Sequence, residues 1–242
     1  MTLLIDIGNT TVNFGYAQND EFSFCGFIDT KEINFENVYN VLNEVKNVDS
    51  IYLSSVVPDV EGKISNYLLE MYGAKVISVN SSFSHNFKMK IDHPNELGAD
   101  LFCDLVAGYE LYGKGIAIID LGTASKVLFI DKDGVFSSCG IYVGYEMSLS
   151  LLSNKTALLP NLDKKPVKKI SECHNTEDVL TSSAFYSQLD TFNGLISRFE
   201  SEVGYSLKRI YTGGNARHFV KKDDIYDEFL VLKGLAVIAK NK

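Results

Sequence analysis

The chain contains its own N-terminal segment twice. Residues 3–28 and 117–142 align without a gap at a shift of 114, which places Asp6 on Asp120, Gly8 on Gly122 and Ile5 on Ile119. The same shift pairs Phe22 with Phe136, Ser23 with Ser137, Cys25 with Cys139 and Gly26 with Gly140. Chance supplies one or two such identities. Seven in register, embedded in matching apolar runs, point to duplication, and duplication confines the fold to two similar halves. A chain of 242 residues is long enough for each half to bury a core.

Both copies share one local logic. An apolar run at 3–5 and at 116–119 ends in Asp-x-Gly, as a buried strand ends in a tight turn. Second strands are predicted at 12–17 and 126–130, polar turns at Asn19-Asp20 and Lys132-Asp133-Gly134, and third strands at 22–28 and 135–143. The pattern then becomes α/β. Helices are predicted at 34–46, 59–72 and 98–112, strands at 51–57 and 75–79, and a loop from His85 to Glu96. In the second half a long helix is expected at 176–203. A strand follows at 207–211, running into Thr212-Gly213-Gly214-Asn215, and a closing helix at 230–239. The expected fold is therefore α/β, with halves 1–113 and 114–242 that each carry a mixed sheet flanked by helices.

A strand ending in Asp6-Ile7-Gly8-Asn9-Thr10 offers three kinds of group at one point. The carboxylate can order the hydration shell of Mg²⁺, Gly8 lets backbone N–H groups approach phosphate oxygens, and Asn9 and Thr10 add donors. Asp120-Leu121-Gly122-Thr123 repeats the set. Two such turns would clamp a polyphosphate and its cation, giving the positioning and charge neutralisation that phosphoryl transfer needs. Gly213 and Gly214, between a strand and a helix, let a flat adenine or ribose lie on bare backbone. A plain strand-to-helix turn reads the same way. Gly108 to Gly115 nearly fits a P-loop, but Gly115 stands where Ser or Thr belongs, and the segment precedes a strand instead of following one.

Composition narrows the class further. A net charge of −8 argues against a nucleic-acid footprint, and the one basic cluster, Lys164, Lys165, Lys168 and Lys169, reads as a solvated loop. Cys25, Cys103, Cys139 and Cys173 have no metal or redox spacing, and the four histidines show no metal-binding pattern. No apolar run is long enough to span a bilayer, and no leader is apparent, so a cytoplasmic protein without membrane partners is expected.

The chain resembles the type III pantothenate kinases of the acetate-and-sugar-kinase, heat-shock-chaperone and actin superfamily. Asp6 to Thr10 looks like the first phosphate motif and Asp120 to Ala124 like the second. His93-Pro94-Asn95-Glu96-Leu97-Gly98-Ala99-Asp100 is similar to the pantothenate and catalytic segment, Tyr211 to Asn215 to the adenosine motif, and Thr156 to Pro160 and Val231 to Leu235 to two further tracts.

The resemblance implies a duplicated actin-like ATPase (ribonuclease H-like) fold and a homodimer. It implies ATP-dependent phosphorylation of pantothenate with Mg²⁺ and a monovalent cation, K⁺ or NH₄⁺. It assigns the general base to Asp100, Mg²⁺ to Asp6, and the monovalent cation or phosphate side to Asp120. Gly8, Asn9, Thr10, Gly122, Thr123, Gly213 and Gly214 would contact ATP, and Gly98, Ala99, Asp100 and Thr176 the acceptor. Asp100 can equally serve free N–H groups at a helix start, and Asn175-Thr176 equally suits a helix cap.

The sequence departs from the family pattern at several points. Leu101 replaces an arginine, Lys126 and Leu128 replace a threonine and an aspartate, and Gly144-Tyr145, Leu149-Ser150 and Ser182-Ser183 replace glycine-containing steps. Lysine at 126 carries the charge that a monovalent cation would bring. The alternative reading is a relative that binds nucleotide and phosphorylates another small alcohol, or acts through a partner without turnover.

Overall fold

The computed structural model describes residues 1–155 and 167–241, which form two compact units. The first comprises residues 1–114, 130–137 and 229–241, and the second residues 115–129, 138–155 and 167–228.

In the first unit, β1 (Thr2–Ile7), β2 (Thr11–Gln18), β3 (Glu21–Asp29), β4 (Ser50–Ser55) and β5 (Val76–Ser78) form a sheet of order β3-β2-β1-β4-β5. β1 runs antiparallel to β2 and parallel to β4. Alternate residues of β1 fill one core: Leu3, Ile5 and Ile7 are fully buried with Val38 and Leu42 of α1 (Phe35–Leu42) and Ile64 and Leu68 of α2 (Pro58–Tyr72). That period-two burial fixes the register, because a one-residue slip would turn every apolar side chain to the other face. Asn34 caps α1 by accepting from the N–H of Asn37 at 2.9 Å. Gly73, at φ +62°, ends α2. The tight turn between β2 and β3 uses Asn19 and Asp20 at positive φ, as the sequence predicts.

The other face of this sheet meets α6 (Leu230–Lys240), which packs on β1, β4 and α3 (Ala99–Ala107). The two helices touch backbone to backbone. A Cβ on Gly234 would lie 2.1 Å from the carbonyl oxygen of Cys103. Gly234→Ala must push α6 off α3, and overpacking of this kind costs about 1–3 kcal/mol. The expected result is a melting temperature lower by roughly 3–10 °C, read by circular dichroism. An unchanged midpoint would show that the helices are not held this closely.

The second unit repeats the plan. β7 (Ile116–Leu121), β8 (Ala124–Ile130), β9 (Val135–Val143), β10 (Lys208–Thr212) and β11 (Ile225–Tyr226) take the order β9-β8-β7-β10-β11, the same as β3-β2-β1-β4-β5, in a sheet that a sixth, two-residue strand (Lys88–Met89) extends beyond β9; residue 130 of β8 and residues 135–137 of β9 belong to the first unit. The bounds of β7 and β9 are those of β1 and β3 displaced by the 114-residue shift of the sequence repeat. Pairing is parallel for both β1–β4 and β7–β10. Ala117, Ile119 and Leu121 pack with Phe192 and Ile196 of α5 (Thr176–Val203), joined by Tyr211 and Phe219. The ring of Phe219 stacks on Phe185 at 4.4 Å and meets Phe192 edge-on at 5.9 Å.

Several elements differ from the sequence expectation. α1 stops at Leu42 instead of running to 46, and α3 stops at Ala107 and continues as one π-helical turn, Gly108–Tyr112. The expected loop between His85 and Glu96 contains a two-residue strand, β6 (Lys88–Met89), which pairs with Val135 and Phe136 in the first unit. α4 (Tyr145–Lys155) was not expected, and it buries none of its residues. Among the described residues no helix is long and apolar enough to cross a membrane.

Candidate active site

Backbone hydrogen bonds tie each Asp-x-Gly turn to the segments that flank it. In the first, the Gly8 N–H donates to the Thr11 carbonyl at 2.9 Å, and the Thr30 N–H, just past β3, donates to the Thr10 carbonyl at 2.8 Å. In the second, the Gly144 N–H, just past β9, donates to the Thr123 carbonyl at 3.2 Å. Thr30 and Gly144 are related by the repeat shift. The loop after β4 likewise bonds to the carbonyl of Ile7 through Val56, and the loop after β10 bonds to that of Leu121 through Asn215. Each turn is thus pinned from both flanking segments, leaving Gly8, Asn9 and Thr10, or Gly122 and Thr123, at least partly open to solvent.

The carboxylates at the two turns have different neighbours. Asp6 is half-buried, and Asn13, its cross-strand partner, donates an amide N–H to Oδ2 at 3.4 Å. A single partly open carboxylate suits Mg²⁺, which keeps most of its waters and takes one or two carboxylates together with phosphate oxygens. Among the described residues no group of three or more His, Cys, Asp or Glu side chains could hold a metal ion unaided. Asp120 is only 7% exposed and forms an ion pair with Lys126, Nζ to Oδ2 2.7 Å.

Asp100 stands in the first turn of α3, and its Oδ1 accepts from the Leu101 N–H at 2.9 Å. Gly98 makes room for it, since a Cβ there would come within 2.6 Å of that oxygen. One turn on, Cys103 is fully buried. Its thiol is pushed well above the ordinary range, first by burial and then by the negative fields of Asp6, Asp104 and Asp100. The fields of Asp6, at the end of β1, and of Asp100, at the start of α3, thus both reach Cys103. Asp104, fully buried and next to Cys103 in the chain, has nothing in the sequence to mark it beyond its helical position.

The adenosine-motif residues lie where β10 ends. Gly213 adopts φ +89°, and a Cβ on it would be 2.5 Å from Asp120 Oδ1 and 2.8 Å from the Leu121 backbone. This turn is folded directly against the second Asp-x-Gly turn, within one unit. Gly214 is exposed and has open space around it. Thr176 is exposed at the first position of α5, whose cap is Asn175, accepting from the Asp178 N–H at 2.9 Å. The Thr156 to Pro160 tract, with Lys164 and Lys165, lies outside the described residues.

The departures from the family pattern have packing roles. Leu101 is buried at 6% exposure, and Leu128 is fully buried in β8. Tyr145 meets Phe185 and Phe219 edge-on at 6.3 and 6.1 Å. Ser182 is fully buried and accepts from the Lys168 N–H at 3.0 Å.

Two sheets of like order, each with a carboxylate-bearing turn after its first strand, define the duplicated actin-like ATPase class that includes sugar kinases. Among solved structures, component A of the (R)-2-hydroxyglutaryl-CoA dehydratase of Acidaminococcus fermentans superposes with a TM-score of 0.51 at 16% identity. The alignment covers 99% of this chain and 98% of that one. Within the class the sequence is more specific. The type III pantothenate kinase family model matches residues 2–198. The type III pantothenate kinase of Persephonella marina is 30% identical over 247 residues, covering 97% of this chain and 96% of the relative. That of a Geobacillus strain is 30% identical over 251 residues, covering 98% and 96%. The chain belongs to the type III pantothenate kinase family.

Proposed function

We propose that the protein transfers the γ-phosphoryl group of ATP to the primary hydroxyl of pantothenate. The products are 4'-phosphopantothenate and ADP, and the reaction opens coenzyme A synthesis. Family membership over nearly the full length carries this reading, and the fields of Asp6 and Asp100, which both reach Cys103, support it.

Asp100 accepts the proton of the acceptor hydroxyl as its oxygen attacks the γ-phosphorus and the bond to ADP breaks. Gly98 and Ala99, with Thr176, contact the acceptor. Gly8, whose own N–H is held by the Thr11 carbonyl, and Gly122 let phosphate oxygens approach closely, Asn9, Thr10 and Thr123 offer N–H and side-chain donors to them, and Gly213 and Gly214 carry the nucleoside. Asp6 would hold Mg²⁺, which would supply neutralisation of charge on the phosphates. A homodimer in the cytoplasm completes the reading.

A coupled ADP-release assay with pantothenate, MgATP and K⁺, paired with phosphorus NMR of the product, tests it. ADP release that depends on pantothenate and yields a phosphomonoester at the primary hydroxyl is expected. ADP release only with a different alcohol, or none with any, would overturn the assignment.

A further inference from the structure

The Asp120 carboxylate is enclosed by its own unit on both oxygens. Oδ1 faces the bare backbone of Gly213, where a Cβ would approach to 2.5 Å, and lies near Gly122, whose Cβ would stand at 3.6 Å. Oδ2 accepts from Lys126 Nζ at 2.7 Å. Lys126 is itself largely covered, its side chain 16% exposed against 9% for that of Asp120. A bound alkali or alkaline-earth ion needs several oxygen ligands arranged around it. Here one oxygen abuts backbone and the other holds an ammonium group tethered to β8. The residues present do not fit a free monovalent cation at Asp120.

The first repeat carries no lysine at the equivalent position. The residue equivalent to Lys126 is Val12, which is fully buried, and Asp6 has the neutral amide of Asn13 beside it. Lysine at this position is specific to the second repeat. An ammonium is a compact point charge, and here it is held against a carboxylate two residues before Gly122. Without it, a buried carboxylate would stand next to the Gly122–Thr123 turn and repel any anion seated there.

Resting on the nucleotide-binding reading above, we infer that Lys126 is a resident cation. It compensates Asp120 and supports the anionic group at the Gly122–Thr123 turn, so ATP binding requires no monovalent cation. Lys126 acts on the nucleotide as a positioning residue, partly through Asp120.

The test uses the full-length protein and calorimetric titration with MgATP and with its non-hydrolysable β,γ-imido analogue, without acceptor. For the wild type, replacing K⁺ by choline at constant ionic strength should change the dissociation constant less than twofold. Lys126→Met should weaken binding at least tenfold in choline, and ammonium or potassium chloride should restore most of the loss. A merely structural lysine would not be rescued by a free ion. A tenfold or greater loss of wild-type affinity in choline overturns the inference, as does a folded Lys126→Met protein that binds normally there. If that variant does not fold, the wild-type comparison decides alone. Failure to phosphorylate pantothenate with K⁺-independent ATP binding would overturn the acceptor assignment and leave this inference standing.

Discussion

Asp100→Asn is expected to lower kcat for pantothenate phosphorylation by roughly 10²–10⁴-fold, the range a positioned general base contributes. The fold should tolerate the change. Asparagine has the shape of aspartate, and its amide oxygen can still accept from the Leu101 N–H now bonded to Asp100 Oδ1 at 2.9 Å. The melting temperature and the affinity for MgATP should therefore stay near wild type, placing the loss in the chemical step. Turnover within threefold of wild type would reduce Asp100 to a helix-start residue serving free N–H groups and would move the base elsewhere.

The second large effect is expected at the turn after β10. Gly213→Ala places a methyl 2.5 Å from Asp120 Oδ1 at φ +89°, where an L side chain is also strained. Strain of this kind costs about 1–3 kcal/mol, and relief requires the turn to move off Leu121 and Asp120. Both stability and ATP affinity should fall, the affinity by tenfold or more, each tenfold being about 1.4 kcal/mol. Gly214→Ala separates the two effects. Nothing lies within 4 Å of a Cβ at this position, so the melting temperature should hold while ATP binding weakens if the nucleoside lies on that backbone. Wild-type affinity in Gly214→Ala would remove the nucleoside from this turn.

The parts of this architecture that were legible in the sequence are those written in local pattern. Asp6 and Asp120, with their apolar runs, marked two strand ends, and the shift that aligned them is the shift between the bounds of β1 and β7 and of β3 and β9. The long α5 carried its own limits in Asn175 and Gly204. Interactions between distant segments left no such mark. The placement of 230–240 against α3 depends on Gly234 meeting the Cys103 carbonyl, a contact between positions far apart in the chain. β6 has two residues, too few for an alternation to register. α4 has no fully buried residue, and its apolar residues at 145, 147, 149, 151 and 152 fall on both sides of a helix, so there is no single apolar stripe to read. Lys126 was visible as a residue type, but its bond to Asp120 depends on which face of β8 it occupies.

Because α6 belongs to the first unit, that unit is built from segments made early and late on the ribosome. Residues 1–114 emerge well before residue 229, and at 5–20 residues per second the interval is on the order of 10 s. Until then the side of α3 that meets Gly234, with the Cys103 backbone, has no cover. Protease sensitivity of stalled nascent chains, lost once α6 has cleared the exit tunnel, would report that interval directly.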